Sequence, residues 1–133
     1  MTLCKAVRVF LVTSVFVASA LAQDCPARAV DAYSDRVLHK FTLKVENTSD
    51  KDIKAVKFKV IFLDAVGDEH SAVVDYTISG KIGRGKKATG HYSNYLFASA
   101  EGTRTWPVKV VFTDGTVWEN PNPGKECVAM FHK

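Results

Sequence analysis

Two runs of alternating character set the limits on this chain. From Phe41 to Glu46, Phe41, Leu43 and Val45 fall on one side, with Thr42, Lys44 and Glu46 on the other. From Val56 to Phe62, Val56, Phe58, Val60 and Phe62 share a side, with Lys57 and Lys59 opposite. A period of two sends one face of each run into a core and the other into water, as half-buried strands of a sheet require. The polar stretch Asn47-Thr48-Ser49-Asp50-Lys51-Asp52 between them has turn composition. The pair therefore reads as the start of a two-layer β core, with strands at His39 to Glu46 and Ile53 to Leu63.

The rest of the chain repeats this grammar. Ser71 to Ser79 alternates Val74, Tyr76 and Ile78 with Asp75 and Thr77 and predicts a third strand. Gly80 to Lys87 packs three glycines and four cations into eight residues, the composition of an exposed connection. Ala88 to Phe97 resumes as a strand carrying His91, Tyr92, Tyr95 and Phe97, and Ser99 to Thr105 reads as a polar loop. Pro107 opens a strand through Val108, Val110 and Phe112, and Asp114-Gly115 marks a hairpin turn with Val117 to Glu119 returning. Cys127 to Phe131 closes the chain as a short strand. Ala27 to Val37 is left open between a helical turn and an irregular edge. Six or seven strands and no amphipathic helix predict an all-β, antiparallel two-sheet sandwich.

The first residues read as an address. Lys5 and Arg8 precede the apolar run Val9 to Ala18, and Ala20-Leu21-Ala22 places small residues where signal peptidase prefers them. Cleavage after Ala22 divides the chain into a signal peptide, 1–22, and a single domain, 23–133, that is secreted or periplasmic; an uncleaved N-terminal anchor is the alternative. The apolar run falls short of the roughly 20 residues of a membrane helix and no later run is apolar for long enough to span, so no membrane span is expected after cleavage. Two of the 18 Lys and Arg leave with the signal and none of the 14 acids does, so the domain carries 16 cations against 14 anions, a net +2. That balance supplies no reason to invoke nucleic acid.

Cys4 departs with the signal, leaving Cys25 and Cys127 near the two ends of the domain. An even pair in an oxidising compartment predicts a disulfide between them, with two separate thiols as the alternative.

Val45-Glu46-Asn47-Thr48-Ser49, the run Ile53 to Asp64 with Gly67 three residues on, and a glycine-bearing turn before a new strand resemble the FxLYD type of extracytoplasmic immunoglobulin-like domain. The resemblance spans about Phe41 to Tyr92. It implies an immunoglobulin-like sandwich that binds or spaces, with no catalytic residues and no cofactor.

Gly80-x-x-x-x-Gly85-Lys86 approaches the phosphate-loop pattern, but Lys87 stands where a magnesium-holding hydroxyl is needed and a polar strand follows. Arg84, Lys86 and Lys87 are instead candidates for electrostatic contact with an acidic polysaccharide, lipid headgroups or an acidic partner, a solvated turn being the default. Asp64, Asp68, Glu69 and His70 offer ligand types for a cation, without EF-hand spacing. His39, His91 and His132 are scattered. Gly-x-Ser-x-Gly and His-Glu-x-x-His do not occur. Asn47-Thr48-Ser49 is a glycosylation sequon in an expected exposed turn, meaningful in a glycosylating secretory pathway, and turn chemistry explains the same residues equally well.

The hairpin carries the sharpest expectation. A two-residue turn at Asp114-Gly115 pairs Val111 with Trp118 and turns both outward, making a recognition patch of Trp118, Val111 and Asp114. The alternative is a bulge beside the turn that swings Trp118 into the core. The sequence thus predicts a non-enzymatic exported module that recognises a protein partner. Carbohydrate or cell-envelope binding is the alternative, favoured if Trp118, Tyr92 and Tyr95 share a surface. A small exported enzyme or metal-binding protein would need a His-carboxylate pair or two histidines in a pocket.

Overall fold

The computed structural model describes residues 25–35, 37–69, 73–93 and 100–132. Eight strands run through them: β1 (Ala27–Asp35), β2 (Lys40–Asn47), β3 (Ile53–Leu63), β4 (Val74–Ile82), β5 (Lys87–Ser93), β6 (Gly102–Phe112), β7 (Val117–Glu119) and β8 (Ala129–His132). They form two antiparallel sheets, one ordered β1-β2-β5 and the other β4-β3-β6-β7, with β8 also paired to β6. The fold is all-β, and among the described residues no helix is long and apolar enough to cross a membrane.

Both alternating runs do what their period dictates. Phe41, Leu43 and Val45 of β2 and Val56, Phe58, Val60 and Phe62 of β3 are buried in one cluster that takes side chains from both sheets. Phe41 meets the edge of Phe62 across the gap, ring centroids 5.1 Å apart at 78°. Edge-to-face contact suits the quadrupoles of two rings and joins one sheet to the other. Tyr92 of β5 packs on Tyr76 of β4 at 4.2 Å and donates its hydroxyl to the Thr77 carbonyl at 3.0 Å. That bond caps a backbone acceptor on the β4 edge, where unpaired groups would otherwise invite a foreign strand. Burial, then the neighbouring Tyr76, pushes the Tyr92 phenol above its ordinary value.

Four strand expectations need correction, the first being the exposed connection at Gly80 to Lys87, whose Gly80, Lys81 and Ile82 belong to β4 with Ile82 buried. The segment left open at Ala27 to Val37 is strand β1, paired along β2 from Ala27↔Asn47 to Asp35↔Lys40, with a bulge between Ala29 and Asp31. The bulge adds a residue and breaks the alternation. The count accordingly rises from six or seven to eight. The polar loop expected over Ser99 to Thr105 is largely β6, whose Thr103 and Thr105 point inward and are buried. Thr105 satisfies its hydroxyl by donating to the Lys59 carbonyl at 2.8 Å, which makes a buried hydroxyl tolerable. Pro107 does not open the strand but sits in its middle. The register shifts there, with Lys57 facing Lys109 and Phe58 facing Pro107, so the missing donor falls at a bulge, where proline is admitted to a sheet.

β7 and β8 lie successively along the same flank of β6, opposite 109–111 and 102–105. The excursion between them folds over the outer face of the larger sheet. There Trp106, Ile61 and Leu63 form a second buried cluster with Val108 and Val128 against it. Arg104 lies over the Trp106 ring at 5.2 Å and donates through Nη2 to the Gly124 carbonyl. Asn120 anchors the base of the excursion: its amide donates to the Pro107 carbonyl at 2.9 Å and the Glu126 carbonyl at 3.0 Å. The Cys25–Cys127 disulfide, bridging 102 residues, fastens the far side to the start of β1.

Candidate functional site

Strand direction sends four segments to one end of the molecule: Cys25-Pro26, the β2–β3 turn, the β4–β5 turn and the β6–β7 hairpin. Asn47 organises them. It is fully buried, and its amide donates to the Lys51 carbonyl at 2.7 Å and the Ile82 carbonyl at 2.8 Å. Its side-chain oxygen accepts the Ser49 N–H at 3.0 Å and hydroxyl at 2.6 Å. Its backbone reaches the basic turn, donating to the Lys86 carbonyl at 2.9 Å and accepting from the Gly85 N–H at 3.0 Å. Thr48 closes the other side, donating from its N–H to the Pro26 carbonyl and from its hydroxyl to the Cys25 carbonyl. The sequon expected to lie exposed is therefore structural. Both amide hydrogens are engaged, so a glycan on Nδ2 is incompatible with this fold.

Asp52 then joins the two sequence candidates. Its carbonyl accepts the Thr113 N–H of the hairpin at 3.0 Å. Its carboxylate accepts the Arg84 N–H at 3.3 Å and pairs with Lys81 at 3.4 Å. Beside it, Lys51 reaches Asp114 at 3.2 Å and the Thr116 hydroxyl at 3.2 Å, and lies 5.4 Å over the Phe112 ring. Asp114 accepts the Thr116 hydroxyl at 2.5 Å and the Thr116 N–H at 2.9 Å. The hydroxyl, then that N–H, then Lys51 lower its carboxyl to about 2. Arg84, Lys86 and Lys87 are exposed, and among the described residues none has an ion-pair partner.

The hairpin departs by one residue from the two-residue turn and follows the alternative in which an extra residue at the turn swings Trp118 inward. Phe112 donates its N–H to the Thr116 carbonyl at 2.9 Å, and the Gly115 N–H returns to the Phe112 carbonyl at 3.0 Å. The loop thus has three residues, Thr113-Asp114-Gly115, with Gly115 left-handed at φ 86°, a form as compatible with Asp-Gly as the two-residue turn. Val110 consequently faces Trp118, and Val111 faces Val117. Trp118 shares the face of buried Val110 and packs, half-buried, against the main cluster. The outward pair is Val111 and Val117, the latter 51% exposed.

The surface proposed from Trp118, Tyr92 and Tyr95 does not assemble. Trp118 and Tyr92 pack against the core, and Tyr95 lies outside the described residues. At the opposite end, a groove of about 350 Å³ brings His132, Glu101 and Asp64 together beside Val66. Asp64 is already committed there, accepting the Val66 and Asp68 N–H groups at 3.0 and 2.9 Å. Glu69 pairs with Arg104 at 3.7 Å, while His70 lies outside the described residues. Among the described residues, no three His, Cys, Asp or Glu side chains converge as metal ligands.

Sequence reasoning missed the two grooves flanking the disulfide. One, of about 420 Å³, is lined by Cys25, Pro26, Arg28, Thr48, Ser49 and Asp50. The other, of about 500 Å³, holds Cys25, Arg28, Ala29, Lys125, Cys127, Val128 and Ala129. Both depend on residues far apart in sequence, and no local pattern announces them.

No family model matches the sequence, and no curated protein does. Among solved structures, the chain is similar to a hypothetical protein from Peptoclostridium difficile 630. The two share 12% identity over 72% of this chain and 87% of that one, with a TM-score of 0.57. It also aligns with a protein provisionally named ApaA from Bordetella pertussis, at 14% identity over 80% of this chain and 87% of that one, with a TM-score of 0.37. The first likeness is one of fold alone, and the second is too loose to carry an argument.

Proposed function

We propose that this chain is an exported, non-enzymatic immunoglobulin-like β-sandwich that recognises a protein partner through the loop end organised by Asn47 and Asp52. The observation that carries the reading is the convergence of the 113–116 hairpin and the 84–87 turn on Asp52, which accepts a backbone N–H from each. A surface held by backbone hydrogen bonds is preorganised, so little ordering is needed when a partner arrives. Arg84, Lys86 and Lys87 supply cations for steering, and Val111 with Val117 supplies an apolar margin on the hairpin. The compartment rests on the expected signal peptide, and the partner is one with an acidic face.

The test is photocrosslinking in the native host, with a benzophenone side chain placed singly at Arg84, at Thr113 and at Val66 of the opposite end. The proposal expects one discrete adduct from Arg84 and Thr113 and none from Val66, with loss of the Thr113 adduct when Lys86 and Lys87 are both changed to Glu. Equal labelling at both ends, or a Thr113 adduct indifferent to charge reversal, refutes it.

A further inference from the structure

The disulfide sits where the two grooves meet. Cys25 and Arg28 line both, whereas Cys127 lines only the one that also holds Lys125. Neither cysteine is fully buried. Cys127 has φ 61°, and His39 is the other non-glycine residue with positive φ among those described. That left-handed backbone is disfavoured for a residue with a β-carbon, and the bond to Cys25 helps to hold it. This cross-link is flanked by open grooves with a cation in each, Arg28 sharing the first with Asp50 and the second with Lys125.

We propose that Cys25–Cys127 is a thiol-exchange site for a small anionic thiol of the glutathione class, attacked at Cys25 while the domain remains folded. The thiolate enters beside Arg28, which attracts the carboxylates of the incoming molecule. Its sulfur lone pair forms a bond to Cys25 Sγ as the Sγ–Sγ bond breaks, and the bonding pair leaves on Cys127 Sγ as thiolate. The incoming thiol is oxidised to the mixed disulfide, the Cys127 sulfur is reduced, and the thiol's proton goes to water. Lys125 stands in the groove where the departing thiolate appears and favours its charge. Cys127 is then free to leave the left-handed region. The site lies at the same end as the proposed recognition surface, with Thr48, Ser49 and Asp50 lining one of its grooves, but it uses neither the 84–87 turn nor the 113–116 hairpin, so the two proposals are tested by different residues.

The test treats the folded, oxidised protein with glutathione and, in parallel, with cysteamine, a cationic thiol, each rate being divided by that thiol's thiolate fraction. Reactions are stopped with an alkylating agent and mapped by mass spectrometry. The expected product carries glutathione on Cys25 and the alkyl group on Cys127. Glutathione is expected to react faster than cysteamine, and Arg28→Ala should reduce that ratio by about 3–10-fold, the scale of one charge pair in a partly solvated groove. Arg28→Lys should retain most of it. Arg28 is exposed, so the substitutions leave the core untouched. Glutathione on Cys127, equal rates for the two thiols, or a rate that climbs with urea in parallel with global unfolding would each overturn the proposal.

Discussion

Asn47→Ala is the most informative single change, because one fully buried amide holds together the end of the molecule where the candidate surface lies. The substitution removes four hydrogen bonds. The two from Ser49 are partly exposed, and water replaces them at little cost. The other two leave acceptors behind: the Ile82 carbonyl is buried and the Lys51 carbonyl partly so. An unsatisfied buried acceptor costs about 1–3 kcal/mol and a lost part-buried hydrogen bond about 1 kcal/mol, so the sum is about 3 kcal/mol. Against a total of about 5–15 kcal/mol for a domain, that is a large fraction. With a urea m-value of about 1–2 kcal/mol/M, the unfolding midpoint should fall by about 1.5–3 M. Two controls sharpen the reading. Ser49→Ala should cost under about 1 kcal/mol. Asn47→Asp, which keeps the Ser49 bonds but turns a carboxylate on two carbonyls, should cost at least as much as Asn47→Ala. If Asn47→Ala costs less than about 1 kcal/mol, or Asn47→Asp is tolerated, the account of this turn as the organising centre is wrong.

Two further outcomes follow from groups already described. Asp114 has a folded-state pKa lowered to about 2, so its contribution to the hairpin is complete above about pH 4, the unfolded value, and is lost as pH falls towards 2. Carbonyl-carbon NMR titration should place its midpoint near 2, and Lys51→Met should raise it; a midpoint in the ordinary Asp range in the unmodified protein would contradict the contacts drawn for Thr116 and Lys51. Gly90 lies under the Tyr92 ring, where an added β-carbon would stand 2.5 Å from the phenol oxygen. Gly90→Ala should therefore displace Tyr92 from Thr77 and Tyr76, cost about 1–3 kcal/mol and, in ultraviolet titration, bring the raised phenol back towards its ordinary value. The wild-type phenol, raised on folding, contributes stability below its unfolded pKa that is lost as pH climbs through the folded one; an unchanged Tyr92 titration in the variant would show that the ring does not lie over Gly90.

The legible parts of the fold are those where period and burial agree. β2 and β3 face the core on one side, and their alternation told both the element and the face. β1 escaped because it buries Ala27, Ala29 and Ala32, small residues with little hydropathic contrast, and because a bulge resets its period. The start of β6 escaped for the converse reason: Thr103 and Thr105 are polar yet point inward, the latter satisfied by a carbonyl that only the pairing with β3 supplies. At Asp114-Gly115 the sequence identified a turn but not its length, since both hairpin loops use the same dipeptide, and one residue of difference turned Trp118 from water to a half-buried place against the core. The convergence of residues 84–87 and 113–116 on Asp52 depends on the ordering of the larger sheet, which no local pattern encodes. The cysteine pair was readable from counting alone.

The span of that cross-link has a kinetic side. Synthesis at about 5–20 residues per second leaves Cys25 without Cys127 for roughly 5–20 s after it is made, because 102 residues separate them. During that interval the first strand has its backbone partner in β2 but not its clamp. The chain holds one other cysteine, Cys4, and it lies upstream. A chain that keeps its first 22 residues therefore gives Cys25 an early and wrong partner, whereas one that sheds them promptly leaves Cys25 to wait for the correct one. Should the expected signal peptide be removed within that interval, Cys127 is left as the partner that the described chain offers Cys25.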